Sequence, residues 1–489
     1  MTADVQQAVT LDDFSGGVID SLAVSDSLLP RNCVRKSINW LFDRPRGALK
    51  QRNGTKSVDD AAVVSTGNTI QGVHNFRQAT GTGHRLFVAV NGKIYILSGT
   101  SWVEEVTGLS TTAKTRFMTF VDITVALNGV NVARTTTGGG TWITTGGAMD
   151  VGNWPTTSAL ACVLNGRVFT AGNTSNPSRV YYSSIVASDA VSWTSGNGNF
   201  DVKPNDAAGV IRSLISNGRI VLILKERGMY RYDGNSLEFI TNIGTTSHES
   251  VVTDDQGVTY FFGQGDGYVG FYATTGGYPK KLSRPIQSWV EAIAGSAYTT
   301  VAGYADGNKI VWYVGSCTID SIAYTNTHLA YNTSDQTWEI YSYQDSFRCF
   351  SKYIDGSSNI MIVGGDTDGF VQQIGTGNTD GAIGATAGVP IFMECDFSPL
   401  VLGTRTHTKS IGEIITLSQD AAGANFYLKA DAKDYKFIGS VRNREDRFQD
   451  IVDIRGQTIF PRLTAVNDGT PMTFEGFAIT KHGDEGISL

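Results

Sequence analysis

One turn dipeptide, flanked each time by strand-like runs, recurs through the middle of this 489-residue chain and limits its fold more than any other feature. It stands as Asn91-Gly92, Asn128-Gly129, Asn165-Gly166 and Asn217-Gly218, then in looser form as Gln256-Gly257, Asp306-Gly307 and Asp355-Gly356. The spacings are 37, 37, 52, 39, 50 and 49 residues. Asn-Gly and Asp-Gly accept the positive φ angles of a tight hairpin, so each copy predicts a strand-turn-strand. Runs such as 85–90, 93–97, 211–216 and 219–224 flank these turns and are rich in Val, Ile, Phe and Tyr. Several are apolar without alternation, as expected of strands covered on both faces.

A second mark follows each of six turns, an aromatic after a small polar cluster: Trp102, Trp142, Trp193, Phe239, Tyr278 and Trp338. It reads as an outer hairpin whose ring packs between neighbouring sheets. A sheet of about four strands cannot bury both its faces alone, but radial stacking of several such sheets can. The chain is therefore expected to be all-β, a six- or seven-bladed irregular β-propeller over residues 61–387. Its 56 Gly and 11 Pro suit many short strands joined by tight glycine turns. The best helix signal is 284–293, with Pro285 near a first turn, and it reads as a connector.

The two ends lack the repeat. Residues 1–60 read as an extended N-terminal docking arm that is locally basic, with Arg31, Arg35, Lys36, Arg44, Arg46, Lys50, Arg52 and Lys56 against Asp26 and Asp43. One reading is a solvated segment lying on its own propeller. The other is a dock for an acidic neighbouring subunit or for DNA phosphates. Residues 388–489 hold strands of moderate length and predict a C-terminal β-sandwich. The mixed-sign clusters at 433–436 and 442–447 read as solvated loops.

Nothing in the sequence predicts catalysis, a cofactor or a metal. The six histidines, His407 among them, lie far apart, with no ligand spacing. The glycine-rich stretch 263–270 leads into a strand rather than a helix, so it reads as a hairpin. Residues 364–369 could be half a calcium loop but lack the later bidentate Glu. Residues 135–142, including Gly139-Gly140, resemble the Asp-box of sialidase-type propellers with Thr137 at the aspartate position. The five cysteines are scattered and read as free thiols of a protein made in a reducing compartment. The start has no signal-peptide pattern and no apolar run is long enough for a membrane anchor. A net charge of −7 argues against a dedicated DNA binder.

The stretch 14–55 is the most specific. It carries Phe14-Ser-Gly16-Gly17, then Leu28-Leu-Pro30, then Asn39, then Gly47-Ala-Leu49 with Arg52 and Gly54. It resembles the opening of tail nozzle or tail-hub proteins of short-tailed bacteriophages, whose last element usually has Pro where this chain has Asn53. The resemblance implies a structural virion protein, made in the host cytoplasm and placed in the tail. It implies a ring, commonly of six copies, below the portal and adaptor and beside other tail proteins. Such a ring retains packaged DNA and touches it transiently during ejection. Two alternatives stand beside it: a receptor-binding or lectin-like propeller, and an enzyme acting on glycans.

Overall fold

Asn91 and Gly92 have φ of 47° and 72°, Asn165 and Gly166 of 51° and 72°, and each pair joins two antiparallel strands. A computed structural model of the chain describes residues 8–20, 29–77, 84–138, 141–187, 190–265, 267–383, 386–402, 408–419, 423–431, 433–442, 444–449, 451, 454–467 and 471–485. Asp26, Leu28, Gly139, Gly140 and His407, used above, lie outside them. The described chain is mostly strand, with one short α-helix, Gln287–Glu291, inside the segment where a helical connector is expected.

Seven small antiparallel sheets follow one another, and each contains one of the seven turn dipeptides. Sheet I runs from Ile70–Arg77 to Ser101–Val106, sheet II from Arg116–Phe120 to Arg134–Thr136, and sheet III from Leu160–Leu164 to Gly198–Asp201. Sheet IV runs from Ile211–Asn217 to Leu237–Thr241, sheet V from Val252–Thr253 to Lys280–Lys281, and sheet VI from Ala302–Asp306 to Thr337–Ser342. Sheet VII has Phe347–Ile354, Ile360–Asp366 and Val371–Ile374. The dipeptide joins the first two strands in sheets III to VII. In sheets I and II it joins the second and third, so the motif marks the unit but not a fixed place in it.

Burial explains the order. Sheets I and II share Phe87 and Ala126, II and III share Val125 and Val168, and III and IV share Phe169 and Leu214. Sheets IV and V share Leu222 and Phe261, V and VI share Phe271 and Trp312, and VI and VII share Val311 and Ile362. Sheet VII in turn shares a core with sheet I, through Val363 and Ile70. The expected aromatic wedge holds for Trp142, edge-on to Phe87 at 5.3 Å, and for the fully buried Trp338. It fails for Phe239 and Tyr278, which are exposed.

The described part of the N-terminal segment does not form an extended arm. It contributes β1 (Val9–Leu11), β2 (Val34–Ile38), β3 (Trp40–Asp43), β4 (Ala48–Gln51) and β5 (Thr55–Ser57). Strand β5 is the fourth strand of sheet VII, paired with Val371–Ile374. Strand β2 pairs with Val389–Phe397, while β1 and β4 pair with Thr473–Glu485. Two larger sheets result, and they face each other across Phe397, Phe426, Phe474 and Phe477. The region 388–489 therefore completes its layers only with strands from 9–51. The cause is apolar: Phe14, Val34, Trp40 and Leu49 are fully buried, which a solvated arm could not provide.

Candidate functional site

Asn39 sits between β2 and β3 with φ 63°, a conformation that Asn tolerates better than most residues. That twist aims its side chain inward. Its amide donates to the carbonyl of Phe392 (2.7 Å), and its oxygen accepts from the Ser342 N–H (2.8 Å) and from Arg52 Nε (2.7 Å). Arg52 follows β4 and is buried. It donates both terminal nitrogens to Asp380 (2.8 and 2.6 Å), one more bond to the Ser342 carbonyl (2.8 Å), and stacks 3.8 Å above the Tyr343 ring. Burial works against its charge, but Asp380 outweighs burial and holds the guanidinium above its ordinary pKa. Two motif residues thus meet in one junction joining the facing sheets, sheet VI and the Thr379–Asp380 strand.

The other motif positions are each fixed by local packing or backbone demands. A Cβ on Gly54 would stand 1.8 Å from the Thr379 carbonyl oxygen, and one on Gly16 would stand 2.4 Å from Cys33 Sγ. Gly17 and Gly47 have φ of 72° and 68°. Phe14 packs on Phe397 at 5.1 Å, and Leu49 is fully buried. The Pro30 carbonyl accepts from Ser398 Oγ at 3.0 Å. Asn53, where the family has Pro, donates through its side chain to Gly375, a bond proline cannot make.

The basic residues separate into two groups. Lys36 is buried, 2.9 Å from Glu394 and 3.6 Å from Asp396; Arg462 grips Asp396 through Nε and Nη2 and lies 3.4 Å from Glu394. Burial pulls the Lys36 ammonium down, but these two carboxylates outweigh it and hold its pKa up. Arg44 pairs with Asp335 at 2.7 Å, and Arg35 lies 5.8 Å from the Phe460 ring centre. Arg31, Arg46 and Lys50 face solvent. Lys36 and Arg52 are therefore removed from any docking surface. Sequence reasoning missed Asp380, Glu394 and Asp396. The signal for the last two was present: carboxylates alternating with Met393, Cys395 and Phe397 in one strand.

Solvent-facing shape concentrates elsewhere. Two adjoining hollows, of about 720 and 1070 Å3, share Gly265, Gly267, Tyr268 and Val269 at the turn of sheet V's long hairpin. Phe239 and Lys203 line the first; Tyr278, Lys281 and Arg284 line the second. Away from these hollows, burial pushes the carboxyls of Asp345 and Asp366 up to about 6. Among the described residues no group of three or more His, Cys, Asp or Glu is placed to hold a metal ion.

No family model and no curated protein matches the chain. Among solved structures it is similar to the extracellular domain of a one-component system from B. thetaiotaomicron, at 12% identity and a TM-score of 0.43. That match covers 82% of this chain and 48% of the other, so the chain spans about half that domain's length. It is also similar to BamB from Moraxella catarrhalis, at 8% identity and a TM-score of 0.34, over 76% of this chain and 99% of that one.

Proposed function

We propose that this chain is a non-enzymatic tail component of a short-tailed bacteriophage, a seven-bladed β-propeller closed by β5 and carrying a β-sandwich. Several copies form a ring below the portal and adaptor that holds packaged DNA and conducts it during ejection. One observation carries the reading: three residues behind the tail-protein resemblance, Asn39, Arg52 and Gly54, meet at a single buried junction. They tie the N-terminal segment to sheets VI and VII and to the strands at 379–380 and 389–397, a task suited to a part under mechanical load rather than to a catalyst. The net charge of −7 suits a wall that DNA passes without sticking, since each phosphate contact adds salt-dependent affinity. Docking in the ring falls to the exposed Arg31, Arg46 and Lys50.

The test is the native mass of the purified protein with electron microscopy of the particles, alone and mixed with portal-containing tails. A closed ring, or incorporation at the distal end of such tails, is the expected result. A strict monomer that stays out of them overturns the reading.

A further inference from the structure

The two hollows on sheets IV and V combine features that the proposed nozzle role does not require. Five Phe and Tyr side chains stand exposed among the described residues, and three of them line this groove: Phe239 at 41%, Tyr268 at 67% and Tyr278 at 75% exposure. Phe239 and Tyr278 are also the two aromatics of the repeat that leave the inter-sheet core. A large ring held in water gives up apolar burial, so three together mark a surface that awaits a planar or C–H-rich face.

The groove is also basic on an acidic protein. Lys203, Arg227, Lys281 and Arg284 line it, and none has a carboxylate within ion-pair distance among the described residues. Two of them pair with the rings: the Lys203 ammonium lies over Phe239, 5.2 Å from its centre, and that of Lys281 over Tyr268 at 5.7 Å, each leaving the opposite ring face to a ligand. Among the described residues two carboxylates line the groove with them, Asp206 and Glu291. Asp206 holds the buried Lys225 at 2.6 Å and accepts from the Tyr230 hydroxyl, while Glu291 accepts from Gln287 at 2.9 Å. Asn242 and Gln264 add side-chain amides that can donate to and accept from hydroxyls.

We propose that this groove binds an acidic oligosaccharide, with Phe239, Tyr268 and Tyr278 against pyranose faces and the four cations on its carboxylates. Sugar C–H faces suit the rings, spaced carboxylates suit the spaced cations, and hydroxyls suit the amides. A nucleic-acid strand fits less well. It would bring a charge with every nucleotide toward a chain of net charge −7 and past Glu291. The proposal does not depend on ring assembly, so a monomer that binds would leave it standing.

The full-length protein would be titrated calorimetrically with uronic- and sialic-acid oligosaccharides, their neutral counterparts and oligothymidylate. Tyr268→Ala, Tyr278→Ala and Lys281→Gln would be compared with Phe437→Ala, which removes an equally exposed ring from the facing sheets. At least one acidic oligosaccharide binds at or below about 1 mM. Each groove variant weakens it about tenfold, added salt weakens it, and Phe437→Ala leaves it unchanged. The proposal is overturned by no binding across that panel, by equal binding of all four variants, by neutral sugars binding as well, or by a preference for oligothymidylate.

Discussion

Arg52 shows how a residue can be visible in sequence and yet be read with the wrong partner. As one of eight cations within 31–56 it looks like part of a charged surface. In the fold it is buried, gripped by Asp380 across 328 residues of chain, and sandwiched between Asn39 and Tyr343. Taking one partner from a buried ion pair strands the other charge, at a cost of about 3–5 kcal/mol. Arg52→Ala and Asp380→Asn are therefore each expected to lower the unfolding free energy, read from urea titrations, by that order, and Arg52→Lys to restore only part of it. Lysine keeps the charge but loses the planar fork and the stack on Tyr343. The double variant should cost less than the sum of the singles. Additive losses would mean that the pair does not act as a unit.

At the scale of elements, the decisive arrangement is the turn from β4 into β5. Gly54 accepts from the N–H groups of Gly375 and Thr376 and donates to Gly377, which fixes β5 as the fourth strand of sheet VII. A Cβ there meets backbone, not a side chain that could swing away. Gly54→Ala is expected to cost at least about 3 kcal/mol, the upper end of ordinary overpacking. Proteolysis near residues 55–57, or at the neighbouring sheet VII edge, should speed up. An alanine variant as stable and as resistant as the parent would refute this account of sheet VII. Much of the repeat was legible because its signal is local: an Asn-Gly or Asp-Gly turn and the strands beside it. The ends were not legible because their pairing is not local. Val34, Lys36 and Ile38 alternate like a strand, but nothing in that run says that its partner is Glu394–Phe397. The groove was half legible: Phe239 and Tyr278 stood out as aromatics, yet their exposure depends on the neighbouring sheet.

For the molecule as a whole, the buried ionisable groups set how stability follows pH. His328 is fully buried among Tyr313, Tyr343, Phe347 and Phe350, and burial pulls its pKa down to about 3. His74 and His248 are brought to about 4, also by burial, although both keep some solvent access and should contribute less. Below the ordinary value of 6.5 the unfolded chain takes up protons that these folded imidazoles refuse, so stability falls as pH drops from there toward 4 and 3. Asp345 and Asp366 oppose this. Their folded pKa near 6 lies above the ordinary 3.8, so protonation favours the folded state, and that gain is lost as pH rises from about 4 to 6. Glu249, half-buried and held low by Arg116 and Lys114, adds a further loss as pH falls below 4.5. Each uncompensated proton is worth about 1.4 kcal/mol per pH unit. The expected profile is flat between about 6.5 and 8, declines gently to about 4 while histidines and aspartates oppose each other, and steepens below; above about 9 it falls again, because burial holds the cysteine thiols above their ordinary value. Because one apolar core runs through sheets V and VI into the facing sheets, the loss should come as a single transition rather than two. His328→Gln should remove about one proton's worth of slope between pH 6 and 4, whatever it does to stability at pH 8. Urea midpoints across that range decide the matter: an unchanged slope would mean that His328 does not carry the acid sensitivity. A separate early transition would mean that the layer built from the two chain ends folds apart from the seven sheets.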